Sequence, residues 1–511
     1  MKRIIISLVF SFVIFRCTAQ TNQIDSFFKS KIALRQLNGQ VLLARNGQPV
    51  YSAVGGFADF EKKIPNTSES KFNIASISKT FTAVSVLQLK EKGLLKLDDP
   101  VVKYLPAFPF KEVTIRQLLS HTSGLPDYEI YGYQVGLNGD TIVSNKDVIP
   151  ALQNWKQGLL FEPGTNWRYS NPAYSVLAII VEKISHQSFA EYLNKHIFHL
   201  AGMNDTYLWQ PDRGNFHGPS DRVKLNVLSV WYEMNYINID SAGQFRYFIY
   251  NCAGTVGEKN IISTAHDLLR YDAALFGGKL LKQSTLEEAF APIKLKSGKT
   301  WQADHMDTML GEGTESYGLG FEIFDQPGFG KSIGHGGFMG GMATFYFHNL
   351  RNKETIIAWQ NSSGREFGNI VTAALYLMNQ EKPFQILMEE SLARVYGYEM
   401  KQHGIDAATT LFNELRADTV NYYLSEQEMN WVGYDLLYFA NFNNHKLYGL
   451  EVHKVNTLLF PKSFNVYDSY AESLLQNGKK EEAIRMYKKS LQLNPDNEGG
   501  KKALDELLKN K

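Results

Sequence analysis

The chain has 511 residues, a length that suits two or three domains rather than one hydrophobic core. Its 44% hydrophobic and 21% charged residues are typical of a globular protein and exclude collagen-like, disordered and polytopic membrane classes. The formal net charge of +1 argues against a nucleic-acid partner, which would require a basic excess. With two cysteines and no CxxC or Cys/His cluster, the sequence predicts neither a disulfide framework nor a metal site.

The N-terminus has the pattern of an export signal. Two basic residues precede an apolar run over residues 4–15, whose helical length of about 18 Å falls short of the roughly 30 Å core of a bilayer. A small-x-small tripeptide ends at Ala19, so we predict a signal peptide over residues 1–19 and a periplasmic or secreted protein. The alternatives are a retained anchor and a lipid-modified Cys17, and we expect membrane attachment only through such a lipid.

A domain of mixed helices and strands is predicted over residues 24–380. Near its start, residues 41–51 predict a β-hairpin, because Asn46-Gly47 supplies a tight turn between two apolar runs. Residues 76–92 predict a helix that ends at Gly93. Two more helices and two strands are predicted over residues 171–184, 189–200, 343–347 and 355–359. Helices in the middle of the domain and strands at both ends indicate an α+β fold whose sheet is closed by its two termini.

A change in composition after about residue 382 indicates a second, all-helical part of the chain. The Ser-x-x-Glu segment at residues 425–428 is typical of a capping box at a helix start. Two amphipathic units, each followed by a proline and 34 residues apart, resemble tetratricopeptide repeats. We therefore predict a helical linker over residues 381–420 and a tetratricopeptide-like tail over residues 421–511. The tail either stabilises the preceding domain or binds a protein partner.

The first candidate reactive pair is Ser76 and Lys79, which lie three residues apart at a predicted helix start and so on one helix face. A serine hydroxyl becomes a nucleophile when a neighbour takes its proton, and a lysine amine can do so if burial lowers its pKa. The same spacing occurs at residues 26/29 and 68/71, so it is weak evidence alone. Ser76 is favoured because the helix start would leave its backbone N–H without an intrahelical partner.

The second candidate segment is Tyr169-Ser170-Asn171, which lies on a polar turn before a predicted helix. By default such a tyrosine is a surface or packing residue. In the functional interpretation Tyr169 is a general base, although ionising a phenol at pH 7 costs about 4 kcal/mol unless a cation such as Lys79 reduces that cost. The amide of Asn171 offers both a donor and an acceptor, which would hold Lys79 and the substrate.

The third candidate segment is residues 334–341, which contains five glycines in eight residues. A strand-like run follows it instead of a helix, which argues against a phosphate-binding loop. Glycines within a strand indicate close approach to the backbone. A substrate lying along this strand would accept a hydrogen bond from the Phe338 N–H, and the Ser76 N–H would complete an oxyanion hole.

The order of the three segments, Ser76-x-x-Lys79, Tyr169-Ser170-Asn171 and His335-Gly336-Gly337, resembles the serine β-lactamase and penicillin-binding-protein superfamily. The closest likeness is to its class C β-lactamase, D-alanyl-D-alanine carboxypeptidase and esterase branch, over roughly residues 30–380. It implies an antiparallel sheet flanked by helices plus a helical subdomain, with the active site between them. It implies catalytic roles for Ser76, Lys79 and Tyr169. It implies substrate or oxyanion binding for Asn171, His335, Gly336, Gly337 and Phe338.

The third segment departs from the Lys-Thr-Gly of many β-lactam-directed members. This chain has His335-Gly336-Gly337 at that position, so it lacks the permanent cation of the lysine and the hydroxyl of the threonine. Both groups help to hold a substrate carboxylate. If a protonated His335 lowers the pKa of Tyr169, activity should depend on the titration of His335 near neutrality.

We therefore predict an exported serine hydrolase that acts through an acyl-enzyme on small esters, amides or D-amino-acid peptides. No metal or organic cofactor is expected. A class C-like β-lactamase is the alternative among enzymes. Outside the enzymes, the alternative is a catalytically idle penicillin-binding-like module whose repeats bind a protein.

Overall fold

The computed structural model describes residues 23–33, 35–131, 142–210, 221–233, 236–239, 252–303, 313–362, 366–379 and 390–509. The predicted signal peptide and Cys17 lie outside the described residues. In the part of the chain that is described, no helix combines the length and the apolar character that crossing a membrane requires. The chain divides into two compact units, the first formed by Met1–Val227 with Ile237–Phe384 and the second by Leu228–Tyr236 with Gln385–Lys511.

The helices are, in chain order, α1 (residues 23–33), α2 (Ser78–Glu91), α3 (Ile115–Leu119), α4 (Asn145–Asn154), α5 (Asn171–Ser185), α6 (Phe189–Leu193), α7 (His199–Ala201), α8 (Ala265–Phe276), α9 (Gln283–Ala289), α10 (Glu366–Met378), α11 (Leu392–His403), α12 (Ile405–Leu415), α13 (Glu426–Tyr434), α14 (His445–Leu459), α15 (Phe464–Gln476), α16 (Lys480–Leu493) and α17 (Glu498–Lys509).

The strands are β1 (Gly39–Arg45), β2 (Gln48–Gly55), β3 (Phe57–Asp59), β4 (Ile64–Pro65), β5 (Phe72–Asn73), β6 (Tyr207–Leu208), β7 (Asn226–Leu228), β8 (Tyr236–Asn238), β9 (Ile261–Ser263), β10 (Thr314–Tyr317), β11 (Glu322–Gln326), β12 (Gly330–Met339), β13 (Met342–Asn349), β14 (Glu354–Gln360), β15 (Glu390–Ser391) and β16 (Tyr422–Tyr423).

The first unit is built around a seven-stranded antiparallel sheet with the order β10-β11-β12-β13-β14-β1-β2. The predicted hairpin is present as β1 and β2. Asn46 and Gly47 both have positive φ, of 52° and 73°, as a tight two-residue hairpin turn requires. Because β1 pairs with β14, the first strand of the domain lies beside the last, and the prediction that the two termini close the sheet is confirmed.

Helices cover the sheet and form a second layer of the same unit. β13 and β14 are buried at every position, which is typical of central strands covered on both faces. Helices α8 and α10 pack against β14, whereas α2, α3 and α4 pack against α5. The expected α+β, β-lactamase/transpeptidase-like fold, with an antiparallel sheet and a helical subdomain, is therefore confirmed.

The helix predicted over residues 76–92 begins as a 3₁₀ turn, Ala75–Ile77, and continues as α2. Every residue of α2 from Ser78 to Leu89 is buried, and only the last two residues of the helix are not. Gly93 follows the helix with a φ of 72°, which fits the predicted glycine stop. Because α2 is enclosed on all sides, a side chain on its first turn is removed from bulk water.

The second unit consists mainly of the consecutive helices α11 to α17 and has two hydrophobic clusters. Helices α11 and α12, which lie within the predicted helical linker over residues 381–420, share one of these clusters with α13 and α14. At the predicted capping box, the Ser425 hydroxyl accepts a hydrogen bond from the Glu428 N–H. The Glu428 carboxylate instead accepts hydrogen bonds from Ser391 and Tyr423, so only half of the box forms.

Candidate active site

Ser76 lies in the 3₁₀ turn before α2, on backbone that the surrounding residues hold in an unusual conformation. Ala75 has a φ of 46°, a left-handed conformation that a non-glycine residue adopts at a cost. The Asn73 side chain accepts the Ala75 N–H at 3.0 Å, and the Thr344 hydroxyl donates to the Ile74 carbonyl at 3.0 Å. These two contacts fix the turn against the sheet, so that the Ser76 side chain is presented in one place.

Lys79 is fully buried, and its amine is surrounded by three hydrogen-bond acceptors. Its Nζ lies 3.1 Å from Ser76 Oγ, 2.7 Å from Asn171 Oδ1 and 3.0 Å from the carbonyl oxygen of Glu258. The structure thus brings Ser76, Lys79 and Asn171 together, although 92 residues separate Lys79 from Asn171. The predicted one-turn spacing of Ser76 and Lys79 does place the amine within reach of the hydroxyl.

The environment of Lys79 brings its proton affinity close to neutrality. Burial lowers the pKa of Lys79 to about 7, while the negative charges of Glu258 and Asp127 oppose this shift. A lysine amine with a pKa near 7 is substantially deprotonated at physiological pH, and only the neutral amine can accept a proton from Ser76. Lys79 is therefore equipped to act as a general base.

Asn171 is oriented by Asp127, a residue that the sequence analysis did not single out. The Asp127 carboxylate accepts the Asn171 backbone N–H at 2.9 Å and its side-chain Nδ2 at 3.0 Å. With the amide nitrogen held in this way, the amide oxygen is directed to the Lys79 amine. Burial raises the pKa of Asp127, although its hydrogen bonds from Asn171 oppose the shift.

Tyr169 lies above the Lys79 amine, which is 4.7 Å from the centre of the phenol ring. The ring also contacts His121, with the ring centres 4.2 Å apart. His121 in turn accepts the Ser170 N–H on Nδ1 at 3.1 Å, and the Ser170 hydroxyl donates to the Pro126 carbonyl at 2.8 Å. His121 therefore braces the turn that carries Tyr169.

The protonation state of Tyr169 differs from the general-base interpretation. Burial raises its pKa well above 10, and a hydrogen bond to Ser76 opposes this shift only in part. At neutral pH Tyr169 is therefore a protonated phenol, hydrogen-bonded to Ser76 and next to the Lys79 amine. A group in that state can donate a proton or a hydrogen bond, whereas it is a poor base.

Strand β12 passes so close to Ser76 that only glycine fits at position 337. A Cβ atom on Gly337 would lie 2.9 Å from the Ser76 backbone nitrogen and 2.4 Å from Thr344 Oγ1. The predicted reason for glycines in this strand, close approach of the backbone to another group, therefore holds, and that group is the turn that carries Ser76.

The N–H of Phe338 points to the open edge of β12. Gly336 donates its N–H to Glu322 Oε2 at 2.7 Å, on the β11 side of the strand. Backbone direction repeats every two residues, so the Phe338 N–H points to the same side. The pairing of β11 with β12 ends at Glu322 and Gly334, which leaves the strand beyond this point free to bind a substrate. The Phe338 side chain is 68% exposed.

His335 is buried below this edge, and its pKa does not lie near neutrality as predicted. Its Nε2 lies 3.0 Å from the Tyr317 hydroxyl, and its Nδ1 lies 2.5 Å from the Gly336 carbonyl oxygen. Burial lowers the pKa of His335 to about 3, and the nearby Lys79 adds to the effect. His335 is thus neutral near pH 7, and it does not supply the charge that would lower the pKa of Tyr169.

Two further acidic residues, Glu322 and Glu258, lie in or behind the site and were missed by sequence reasoning. Burial and the neighbouring Glu315 raise the pKa of Glu322 well above its usual range. Glu258 is fully buried and contacts Lys79 through its carbonyl. Neither residue lies in a recognisable motif, because each reaches the site through the fold alone.

The described residues contain no group of three or more His, Cys, Asp or Glu side chains placed to hold a metal ion.

Comparison with known proteins agrees with the observed fold and site. The family model described as Beta-lactamase matches residues 24–378. Penicillin-binding protein 4* of Bacillus subtilis (strain 168) is 32% identical over 341 residues, which cover 66% of this chain and 71% of that protein. A solved penicillin binding protein from Bacillus halodurans is similar with a TM-score of 0.56 and 25% identity, covering 68% of this chain and 98% of that one.

A third similar protein is the D-amino acid amidase of Ochrobactrum anthropi SV3, solved in complex with D-phenylalanine. Its TM-score is 0.55 at 21% identity, and the match covers 70% of this chain and 99% of the amidase. At this identity the similarity shows the shared fold.

Proposed function

The chain belongs to the Beta-lactamase family, and on this premise we propose that it is an active serine hydrolase that forms an acyl-enzyme on Ser76. The observation that carries the proposal is the 3.1 Å contact between Ser76 Oγ and the amine of Lys79, whose pKa burial lowers to about 7. A nucleophile next to a base that is neutral at physiological pH is the arrangement that acyl transfer requires.

In the acylation step, neutral Lys79 takes the proton of Ser76 as Oγ attacks the substrate carbonyl carbon. The oxygen of the tetrahedral intermediate accepts hydrogen bonds from the N–H groups of Ser76 and Phe338. Tyr169, which is a protonated phenol next to both groups, donates its proton to the leaving group and regains one from Lys79. Water then cleaves the acyl-enzyme, with Lys79 again as the base.

We propose small esters, amides and D-amino-acid peptides as substrates. Two features of the site favour neutral substrates over those with a carboxylate near β12. His335 is neutral at physiological pH, and the carboxyl group of Glu322 lies beside the Gly336 N–H. Neither group supplies a cation, and β-lactams carry a carboxylate that a cation would stabilise, so the site disfavours a β-lactamase. The similarity to a D-amino acid amidase supports amides of D-amino acids as one class to assay.

We also propose that the protein is exported and acts in the periplasm or outside the cell. The support for this is the basic and apolar pattern of residues 1–19 in the sequence. For the second unit we propose a stabilising role as a tetratricopeptide-like tail, with capture of a protein partner as the alternative.

The proposal is tested by hydrolysis of a p-nitrophenyl ester, a D-amino-acid amide, a D-alanyl-D-alanine peptide and a chromogenic cephalosporin. We expect turnover of the neutral ester or amide substrates, slower turnover of the cephalosporin, and no turnover of any by Ser76→Ala.

The chain offers a matched control in Ser68 and Lys71, which have the same spacing. Lys71 pairs with Asp221 at 3.0 Å, so its amine is not available to Ser68. Ser68→Ala should therefore leave hydrolysis unchanged. A wild-type protein that is folded but turns over none of the four substrates would favour the catalytically idle module.

A further inference from the structure

A buried ion pair lies directly behind Lys79, on the loop between β8 and β9. The Glu258 carboxylate and the Lys259 amine are 3.0 Å apart, and their side chains are 0% and 10% exposed. Charged side chains are seldom buried in this way unless they are paired, because removing charges from water is costly. The proposed catalytic cycle does not use either side chain.

The pair is built into the two helices that form the site. The Glu258 carboxylate accepts a hydrogen bond at 2.8 Å from Ser175, one turn after Asn171 on α5, and another from Thr255. The preceding Gly257 is pressed against α5, since a Cβ there would lie 2.4 Å from the Tyr174 carbonyl oxygen. The carbonyl of Gly257 also accepts a hydrogen bond at 2.5 Å from Thr82 of α2.

Lys259 completes the network with three contacts of its amine. Its amine donates to the Tyr128 hydroxyl at 2.8 Å and to the Thr255 hydroxyl at 2.9 Å, besides its contact with Glu258. Every donor of the amine is thereby directed to a partner within the protein. The carboxylate and the ammonium are fixed in position, so each exerts a constant electrostatic effect on its surroundings.

From this geometry we propose that the Glu258–Lys259 pair is a positioning element for Lys79, which holds the amine by the Glu258 carbonyl and balances the charge around it. The proposal deepens the proposed function and rests on Lys79 acting as the base. The two charges act in opposite directions, because the carboxylate favours a protonated Lys79 and the second ammonium disfavours it.

The titratable groups that face the Lys79 amine from the other packed elements are His121, Asp127, Tyr169, Tyr174, Glu322 and His335. All of them are unchanged in the variants proposed below. A shift of the Lys79 titration between those variants would therefore come from the pair itself.

The experiment measures the rate of Ser76 labelling by a fluorophosphonate, and kcat/KM for a p-nitrophenyl ester, from pH 5 to 9. Both rates rise with pH as Lys79 loses its proton. Glu258→Gln removes the carboxylate charge and should move the midpoint down by about one pH unit, whereas Lys259→Met should move it up by about as much. The double variant should return the midpoint close to that of the wild type.

A surface pair supplies the control for a change of net charge. Lys296→Met removes an exposed amine that pairs with Glu162 in the same unit, and solvent screening should leave the midpoint unchanged. If Lys259→Met does not fold, Glu258→Gln and the double variant still decide the matter. Single variants that shift the midpoint in the same direction, or a Glu258→Gln variant that does not shift it, would overturn the proposal.

A second readout separates this proposal from the proposed function. Lysine labelled with ¹³C at the ε position reports the titration of Lys79 by NMR, with the signal assigned by its loss in Lys79→Arg. Opposite shifts of that titration in the two single variants support the pair even in a protein that hydrolyses nothing. Failure of the fluorophosphonate to label Ser76 in the wild type would instead count against the proposed function.

Discussion

At the residue scale, the proposed chemistry depends on which of Lys79, Tyr169 and His335 carry a proton near pH 7. Burial lowers the pKa of Lys79 to about 7 and that of His335 to about 3, and it raises the pKa of Tyr169 above 10. The same physical cause thus produces a neutral base, a neutral histidine and a protonated phenol. This distribution assigns proton acceptance to Lys79 and proton donation to Tyr169.

The first prediction concerns pH. Because Lys79 must be neutral to accept the Ser76 proton, kcat/KM should rise with pH through a midpoint near 7 and should not show a second titration from His335. His335→Gln should lower the rate, since the residue lies beside the substrate edge, yet leave the midpoint unchanged. Profiles of kcat/KM for a neutral ester between pH 5.5 and 8 check this, and loss of the titration in His335→Gln would contradict it.

The second prediction concerns the orientation of Asn171. Asp127→Ala removes the carboxylate that holds the Asn171 amide, which should lower kcat by about 100-fold because the Lys79 amine loses its fixed partner. The neighbouring Glu129 pairs with Arg168 on the surface and supplies the control. Steady-state assays of Asp127→Ala and Glu129→Ala test the difference, and equal activities in the two variants would refute the role of Asp127.

At the scale of elements, the site depends on the contact between strand β12 and the turn that carries Ser76. The strand runs past the turn with its open edge towards the substrate, and the turn is held by side chains from β5 and β13. A change that separates these two elements should remove oxyanion stabilisation without touching any reacting side chain.

The third prediction follows from this contact. Gly337→Ala introduces a Cβ that would lie 2.9 Å from the Ser76 nitrogen, so β12 must move and the Phe338 N–H is displaced. The rate of acylation should fall by about 100-fold, which is the usual effect of losing one oxyanion donor. Gly499→Ala is the control, since its nearest contact is 3.5 Å away. Stopped-flow acylation of both variants makes the test, with an unaffected rate in Gly337→Ala as the opposing result.

Most elements of the first unit were predictable because their signals are local. The hairpin turn at Asn46-Gly47, the glycine after α2 and the apolar run of β13 each depend on neighbours in sequence. The three motifs likewise gave Ser76, Lys79 and the tyrosine segment. Asp127, Glu258 and Glu322 could not be found this way, because each is an ordinary acidic residue until the fold brings it to Lys79.

The protonation states were also beyond the sequence. Whether His335 or Tyr169 carries a charge depends on how much water reaches it, and burial is a property of the packed elements around it. The expectation that a charged His335 would tune Tyr169 is therefore not supported, although the position of His335 beside the strand edge is as the motif implied.

At the scale of the whole molecule, the second unit includes a segment that is distant from it in sequence. Leu228–Tyr236 belongs to this unit, where Tyr232 is 3% exposed in the cluster formed by α11 to α14. The Arg394 guanidinium lies 4.8 Å from the ring centre of Trp231, and its Nε donates to the Trp231 carbonyl at 3.0 Å. The helical unit is thus completed by residues encoded in the middle of the chain.

The fourth prediction tests this role of the segment. Tyr232→Ala should lower the free energy of unfolding of the helical unit by about 3 kcal/mol, because it empties a fully packed aromatic position. Val420→Ala, at a side chain that is 55% exposed, should have little effect. Denaturant unfolding of the full chain, followed by circular dichroism and tryptophan fluorescence, distinguishes the two. Equal stability of both variants would mean that the segment adds nothing to the helical core.

The most direct test of the central claim is to label the nucleophile covalently and find which residue carries the label. The full chain is treated with a fluorophosphonate at pH 8, digested, and the modified peptide is sequenced by mass spectrometry. We predict one adduct on the hydroxyl of Ser76, which is lost in Lys79→Met and kept in Ser68→Ala. An adduct on another residue, or labelling that persists at the same rate without the Lys79 amine, would contradict it.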